Sequence, residues 1–302
     1  MKIIFYAVLA VALLSGAAFA ASAAAKTKPL GYADYAKLFN RLAAGETAAD
    51  IENVIPSLRR SLAAADEVSK RWWTDSTSYD EFAHDQILPD PVMDALGIAH
   101  ETTNDVEHAS AGIMHTYGYL FSQLKTKYGL KSKRWIESRL DERLGLPART
   151  FSPLPPQGEF LANVTSALTH LCGFDADLPG ATKAVPHARM LGAVEETVQW
   201  RRPDGATVDA IVRTRLVALA PLPGVMSSDT HLLIYDYESA GEHRFVTAFP
   251  VESSFAKTIL DSKPSTDNAF KPRFNFYVDP DWNLVSSRSS GFIPAKSAAK
   301  AP

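Results

Sequence analysis

Apolar residues recur at the spacing of an α-helix through the first half of the chain, over residues 32–174. Side chains at positions i, i+3, i+4 and i+7 lie on one face of a helix, so this spacing predicts amphipathic helices. The longest predicted helix spans residues 104–128, and others span 77–88, 132–144 and 159–171. The apolar stripe of the longest helix consists of Val106, Ile113, Tyr117, Leu120, Leu124 and Tyr128.

Beyond Gly180 the pattern changes to short runs rich in β-branched and aromatic residues. Such runs, separated by turn residues such as Pro203, Asp204 and Gly205, predict strands. The predicted strands span residues 197–200, 208–219, 231–237, 245–251, 274–278 and 283–286. The clearest alternation places Val208, Ala210 and Val212 on one side of a strand and Asp209, Ile211, Arg213 and Arg215 on the other. It predicts a sheet with one polar face.

Helices followed by strands predict an α+β fold, with a helical N-terminal half followed by an antiparallel β-sheet C-terminal half. Five consecutive regions are expected on this basis. They are a signal peptide at 1–20, a helical domain at 21–146, a Pro-rich connection at 147–158, a helix plus antiparallel β domain at 159–293, and a disordered tail at 294–302.

The first twenty residues have the three parts of a signal peptide. Lys2 gives the positive start, an apolar stretch follows, and Ala18, Phe19 and Ala20 form a small-x-small cleavage site. The apolar stretch is about twelve residues long, whereas a membrane helix needs about 20. The sequence therefore predicts a soluble mature protein without a transmembrane segment, beginning near Ala21 and located in the periplasm or secreted.

Composition narrows the compartment and the class of partner. The formal net charge is −3 and 22% of the residues are charged, which gives no overall field that would attract nucleic acid. The one cysteine, Cys172, permits no disulfide within the chain and lies far from the cleavage site, so no lipid anchor is expected. Export without a disulfide favours the periplasm. We predict that Cys172 is buried and inert, despite the nearby His170.

One histidine-rich stretch suggests a metal site. On the predicted helix, Asp105, His108 and His115 share a face, and a carboxylate with two imidazoles suits zinc or manganese. The two histidines, however, are seven residues apart, about 10 Å of helical rise, and metal-binding helices usually offer pairs three or four apart. The spacing therefore favours a polar face that packs against a neighbour or water, with a metal-dependent hydrolase as an alternative.

A basic stretch at 125–143 contains seven lysines and arginines against three acidic residues. Such an excess, with Trp135 inside it, fits contact with a phosphate-rich surface. The commoner arrangement is a solvated helix pair in which Glu137 and Asp141 are partners within the helix, and Trp135 then belongs to the core.

Polar residues on three predicted strands form a possible catalytic set. It contains His231, Tyr235, Thr247, Arg213 and Arg215. If the strand faces coincide, imidazole, phenol, hydroxyl and guanidinium groups converge as acid-base cleavage of a phosphodiester requires. The alternative is cross-strand aromatic packing with the arginines reaching to solvent.

The tract 244–251, Arg-Phe-Val-Thr-Ala-Phe-Pro-Val, resembles the closing strand of the poly(U)-specific endoribonuclease family and related bacterial toxin ribonucleases. The resemblance covers eight residues of 302 and implies a secreted, metal-independent endoribonuclease. Thr247 is the position that it carries over, and the family's histidine-bearing stretches have no clear counterpart in this chain.

Motifs of the common catalytic classes do not occur: there is no Gly-x-Ser-x-Gly, His-Glu-x-x-His, Gly-rich phosphate loop or Cys-x-x-Cys. No cofactor is therefore expected. The leading prediction is an exported protein that acts by binding a protein or a small ligand. The ribonuclease-like enzyme and the metal-dependent hydrolase are the alternatives.

Overall fold

The computed structural model describes the chain from residue 71 onward, with gaps. The described residues are 71–76, 79–80, 83–87, 110–112, 122, 124–126, 129–148, 150, 160–174, 185–225, 227–274 and 276–295. The strands are β1 (Asp75–Ser76), β2 (Tyr79–Asp80), β3 (Asp85–Gln86), β4 (Ser110–Ala111), β5 (Lys125–Thr126), β6 (Gly129–Leu130), β7 (Ala188–Arg201), β8 (Thr207–Leu219), β9 (Asp229–Ser239), β10 (Glu242–Glu252), β11 (Pro264–Ser265) and β12 (Asn283–Pro294). The helices are α1 (Lys131–Glu137), α2 (Leu140–Arg143), α3 (Phe160–Cys172) and α4 (Ser253–Leu260).

Six of these strands form one antiparallel sheet in the order β10-β9-β8-β7-β12-β11. Strands β7 to β10 follow one another as hairpins, and β12 returns to pair with β7. The β9–β10 hairpin closes through Ala240 and Gly241, whose φ values are 52° and 82°. Two central residues with positive φ are what a two-residue type I′ turn requires. Strand β10 contains Pro250, which is tolerated because β10 lies at the edge of the sheet.

The two sides of the sheet differ, as the alternation along β8 predicts. One side, here called the aromatic side, carries Val212, Leu216 and Tyr235 and packs against α4 and the irregular segment 266–282. The other side, here called the charged side, carries Arg213 and Arg215 and meets the end of α3. Successive residues of a strand point to opposite sides, so each position in β8 is assigned to a side by its neighbours.

The predicted α+β class is wrong, because the described residues are mostly antiparallel sheet, 46% strand and 19% helical. Within the predicted helix 77–88, β2 pairs with β3. Asp80 Oδ1 accepts from the Ala83 amide, at 2.8 Å, and the Asp80 carbonyl accepts from the His84 amide, at 2.9 Å. An aspartate that bonds nearby amides competes with the helix for them, which explains a turn here.

Although Gly112 is assigned to a helix, the predicted helix 104–128 is contradicted at residues 110–111 and 125–126, which are strands. Strand β4 lies inside it and pairs in parallel with β1, and β5 pairs with β6. Gly112 has a positive φ of 49°, and its amide donates to Thr74 Oγ1 at 3.0 Å. The Thr74 amide in turn donates to the Phe245 carbonyl, at 2.9 Å, on the edge of the sheet. Contact with the sheet edge thus overrides the helical spacing of apolar residues.

The remaining predicted helices and strands agree with the structure in part. The helix expected at 132–144 is divided into α1 and α2 at Arg139, which has φ 47°. Helix α3 lies where a helix is predicted, whereas α4 was not expected. The strand predicted at 274–278 is absent from the described residues there, because Phe274 has φ 57° and cannot continue an extended chain. Among the described residues, no helix is long and apolar enough to cross a membrane.

Candidate functional site

Two arginines and three carboxylates form a compact group on the charged side, here called the arginine cluster. Its members are Glu195, Arg213, Arg215, Asp236 and Glu238. Asp236 has no exposed surface and faces Arg213 directly across β8 and β9, and Arg213 faces Glu195 across β8 and β7. Arg213 lies 2.9 Å from Glu195 and 2.6 Å from Glu238, measured from Nε and Nη1 respectively.

Electrostatics hold this cluster in its charged form. Burial pulls down the pKa of Arg213, but the hydrogen bonds to Glu195 and Glu238 and the charge of Asp236 outweigh burial and raise the pKa above its ordinary value. For Arg215 burial acts the same way, but the charge and hydrogen bond of Asp236 together with the charges of neighbouring groups outweigh it, so the pKa of Arg215 is raised as well. Both guanidiniums stay protonated and are bonded to carboxylates. The cluster therefore braces three strands and offers no proton for transfer near neutral pH.

The end of α3 covers one margin of the arginine cluster. The Phe174 ring stacks on His243, with centroids 4.4 Å apart, and the Arg215 guanidinium lies 5.2 Å from the Phe174 centroid. Cys172 lies beside this group and is partly buried, and burial raises the pKa of its thiol despite the opposing charge of Arg215. A thiol with a raised pKa is a poor nucleophile at neutral pH.

Two fully buried hydroxyl groups lie on the aromatic side. Tyr235 and Thr214 face each other across β9 and β8, and neither has exposed surface. Thr214 Oγ1 has no hydrogen-bond partner among the described residues, and the Tyr235 hydroxyl proton finds no acceptor there. The Tyr235 ring meets Phe274 and Phe276 edge-on, with centroids 5.0 and 5.7 Å away. A buried polar atom without a partner is rare in native structures, so each one calls for an explanation.

An ion pair lies at the solvent-exposed margin of the region around Tyr235. Arg273, from segment 266–282, forms an ion pair with Glu196 of β7; their side chains are 39% and 16% exposed. Arg273 Nε is nevertheless buried and finds no acceptor in the part of the chain described. Burial raises the pKa of Tyr235, and the charge of Arg273, with hydrogen bonds from its side chain and backbone to the Tyr235 oxygen, opposes that rise. Tyr235, Thr214, Arg273 and Glu196 together are here called the tyrosine–arginine site.

The sheet separates the predicted catalytic residues into two groups. Tyr235 and Thr247 face each other across β9 and β10, on the aromatic side, whereas Arg213 and Arg215 lie on the charged side. A β-bulge at Val246 shifts the register, so Phe245 pairs with Asp236 while Thr247 pairs with Tyr235. Phe245 and Thr247 therefore lie on opposite sides, although two-residue spacing predicts one shared side.

His231 lies on the aromatic side but away from Tyr235. The two residues are four positions apart along β9, about 13 Å of extended chain, and Leu233 lies between them on the same side. The His231 Nδ1 atom is 2.8 Å from Thr230 Oγ1, and burial lowers the pKa of the imidazole. The five residues of the proposed catalytic set therefore do not converge on one point.

The other predicted sites have separate outcomes. Asp105, His108 and His115 lie outside the described residues, and no group of three or more metal-ligating side chains occurs within those residues. In the basic stretch, Arg134 forms an ion pair with Asp229 and Arg143 donates to its carbonyl at 3.0 Å. These two basic residues attach α1 and α2 to β9. Trp135 is 1% exposed and lies in the core.

Sequence reasoning missed three important residues. Asp236 interrupts an apolar strand, and a carboxylate there implies a buried cationic partner, so its signal was present. Glu196 and Arg273 gave no comparable signal because Arg273 comes from a segment without periodicity. In the comparisons with known proteins, no family model, curated protein or solved structure matches this chain.

Proposed function

We propose that the protein is exported and acts by binding a small organic molecule at the tyrosine–arginine site. The observation that carries the proposal is the Tyr235 hydroxyl, which is fully buried and whose proton finds no acceptor among the described residues. Leaving a buried polar group unpaired costs about 1–3 kcal/mol. A ligand oxygen at this position removes that cost, so the fold is prepared for a group that the described chain does not supply.

The surroundings favour a small ligand over a protein partner. Tyr235, Phe274 and Phe276 form apolar walls, and polar atoms are few and specific, as in sites for small molecules. Tyr235 and Thr214 have no exposed surface, and the face of a second protein does not reach such atoms. The polar rim at Arg273 and Glu196 is partly exposed and gives the site contact with solvent.

The arrangement of the remaining polar groups also favours binding over catalysis. Arg213 and Arg215 are neutralised by carboxylates, on the side of the sheet opposite Tyr235. Acid-base cleavage needs its groups within hydrogen-bond reach of the reacting atoms. Export is supported by the signal-peptide features of residues 1–20 and by Ala18, Phe19 and Ala20 in particular.

Native mass spectrometry of the mature protein, purified from its own periplasm, tests this function. We expect a chain that begins near Ala21 with an additional small mass, which is lost on denaturation. A bare chain together with RNA cleavage that persists in chelator and disappears in His231→Ala contradicts the proposal and favours the ribonuclease alternative. An added mass equal to that of a metal ion contradicts the proposal and favours the metal-dependent hydrolase.

A further inference from the structure

We propose that the ligand is an uncharged aromatic compound with a carbonyl-type oxygen, and that Phe274 occupies the position of its ring in this structure. The inference rests on the proposed function, because it names the ligand class of the same site. It combines three features: the conformation of Phe274, the aromatic walls around its ring, and the two donors beside it.

Phe274 is held in a backbone conformation that a bulky residue avoids. Its φ is 57°, in the left-handed region, where residues other than glycine are strained. Such a conformation persists only when the surrounding contacts outweigh its cost. Phe274 lies in a turn that the Phe276 amide closes by donating to the Arg273 carbonyl at 3.1 Å, and the aromatic contacts of its ring add to this support.

Three aromatic side chains surround the Phe274 ring. Its centroid lies 5.0 Å from that of Tyr235, 5.5 Å from that of Phe249 and 6.2 Å from that of Phe255. The first two contacts are edge-to-face, the arrangement that aromatic pairs favour. A planar ring is therefore the shape that this position accepts. If Phe274 moves out, another ring fits the same walls and the backbone relaxes from its strained φ.

The donors beside this ring select an acceptor without net charge. The Tyr235 hydroxyl and the Arg273 Nε–H are both buried and lack acceptors among the described residues. Glu196 already neutralises the Arg273 guanidinium. A carboxylate would therefore leave an excess negative charge in a poorly solvated site, whereas a carbonyl oxygen accepts both hydrogen bonds at no such cost.

Three small probes separate ring, oxygen and charge. Acetophenone has a ring and a carbonyl, ethylbenzene has the ring alone, and benzoate has the ring with a negative charge. Their dissociation constants are measured by ligand-observed NMR titration on the mature protein and on three variants: Tyr235→Phe, Tyr237→Phe and Phe274→Gly. Tyr237→Phe is the matched control, since Tyr237 is also buried on the aromatic side of β9.

We expect Phe274→Gly to bind acetophenone at least about tenfold more tightly than the parent protein, because the position is vacated and glycine accepts the positive φ. Tyr235→Phe is expected to weaken acetophenone about tenfold, to leave ethylbenzene unchanged, and to differ from Tyr237→Phe, which changes neither. Benzoate is expected to bind more weakly than acetophenone. Thermal melts of each variant establish that it is folded.

Each of the following outcomes would contradict one part of the proposal. Equal affinity of Phe274→Gly and the parent protein shows that Phe274 does not occupy the ring position. Tighter binding of benzoate shows that the ligand is an anion. If either occurs while native mass spectrometry finds a bound organic molecule, this inference fails and the proposed function stands. If no probe binds any variant and the protein carries no added mass, both fail.

Discussion

Arg215 and Asp236 are joined by two hydrogen bonds on the charged side of the sheet, from Nε to Oδ2 at 2.5 Å and from Nη2 to Oδ1 at 3.3 Å. Asp236 has no exposed surface, and Arg213 also lies within 3.7 Å of it. The carboxylate therefore balances two guanidiniums in a buried position. These ion pairs on the charged side join neighbouring strands and leave the arginines without a free charge for a ligand. The proposed ligand site is therefore on the aromatic side.

Asp236→Asn should lower the free energy of unfolding by about 3 kcal/mol, because removing one partner leaves buried charge without compensation. Urea unfolding followed by circular dichroism measures the change. Lys257→Gln is the control, since the Lys257–Asp261 pair is exposed and its loss costs no more than about 0.5 kcal/mol. Equal effects of the two substitutions would mean that the buried pair adds little.

Tyr235→Phe should leave the ligand-free protein as stable as before or raise its stability by about 1 kcal/mol, because the substitution removes a buried hydroxyl whose proton has no acceptor within the described chain. Thermal unfolding of ligand-free protein tests this. A loss of more than about 1 kcal/mol would show that the hydroxyl is already satisfied, and would remove the main support for a ligand site.

Gly291→Ala should be strongly destabilising, by several times the effect of Gly205→Ala. Both glycines have positive φ, 67° and 88°, so both substitutions strain the backbone. A Cβ at Gly291 would lie 2.7 Å from Pro264 N, whereas one at Gly205 has nothing within 4 Å. The urea midpoints of the two variants are compared: Gly205→Ala reports backbone strain alone, and Gly291→Ala reports the same strain plus the steric clash with Pro264. Similar midpoints would contradict the contact between β12 and β11 at this position.

His231 should make the protein less stable in mild acid. Burial lowers the pKa of its imidazole from 6.5, so the unfolded chain takes up a proton at a higher pH than the folded chain does. The resulting stability is fully present above pH 6.5 and is lost as the pH falls below it. The free energy of unfolding is compared at pH 7 and pH 5 for the parent protein and for His231→Gln. A pH effect that is the same in both proteins would rule out His231 as its source.

The sheet could be read from the sequence more reliably than the N-terminal half. Strand β8 alternates apolar and charged residues, and this pattern gives both its direction and its two sides. The residues around Gly112 and Asp80 also have helical spacing, but their amides bond to Thr74 Oγ1 and to a local turn instead. Periodicity does not show such partners because they come from elsewhere in the fold or from competing side chains.

The site was harder to predict than the sheet for a related reason. The sequence places Tyr235 and Arg213 on candidate strands but does not show how these strands pair. In the structure Tyr235 pairs with Thr214 and shares its side of the sheet, so Arg213, the next residue in β8, lies on the opposite side from Tyr235. The bulge at Val246 moves Thr247 to the side of the sheet opposite Phe245, and no residue type nearby predicts a bulge at this position. Arg273 belongs to an irregular segment, so its approach to Tyr235 depends on tertiary packing alone.

The most direct test of the ligand-binding account is native mass spectrometry of three proteins purified side by side from the native periplasm: the parent protein, Tyr235→Phe and Tyr237→Phe. We predict one added small organic mass on the parent protein and on Tyr237→Phe, and a much smaller occupied fraction in Tyr235→Phe. A bare parent protein, or equal occupancy in all three, would contradict the assignment of the buried Tyr235 hydroxyl as the centre of the binding site.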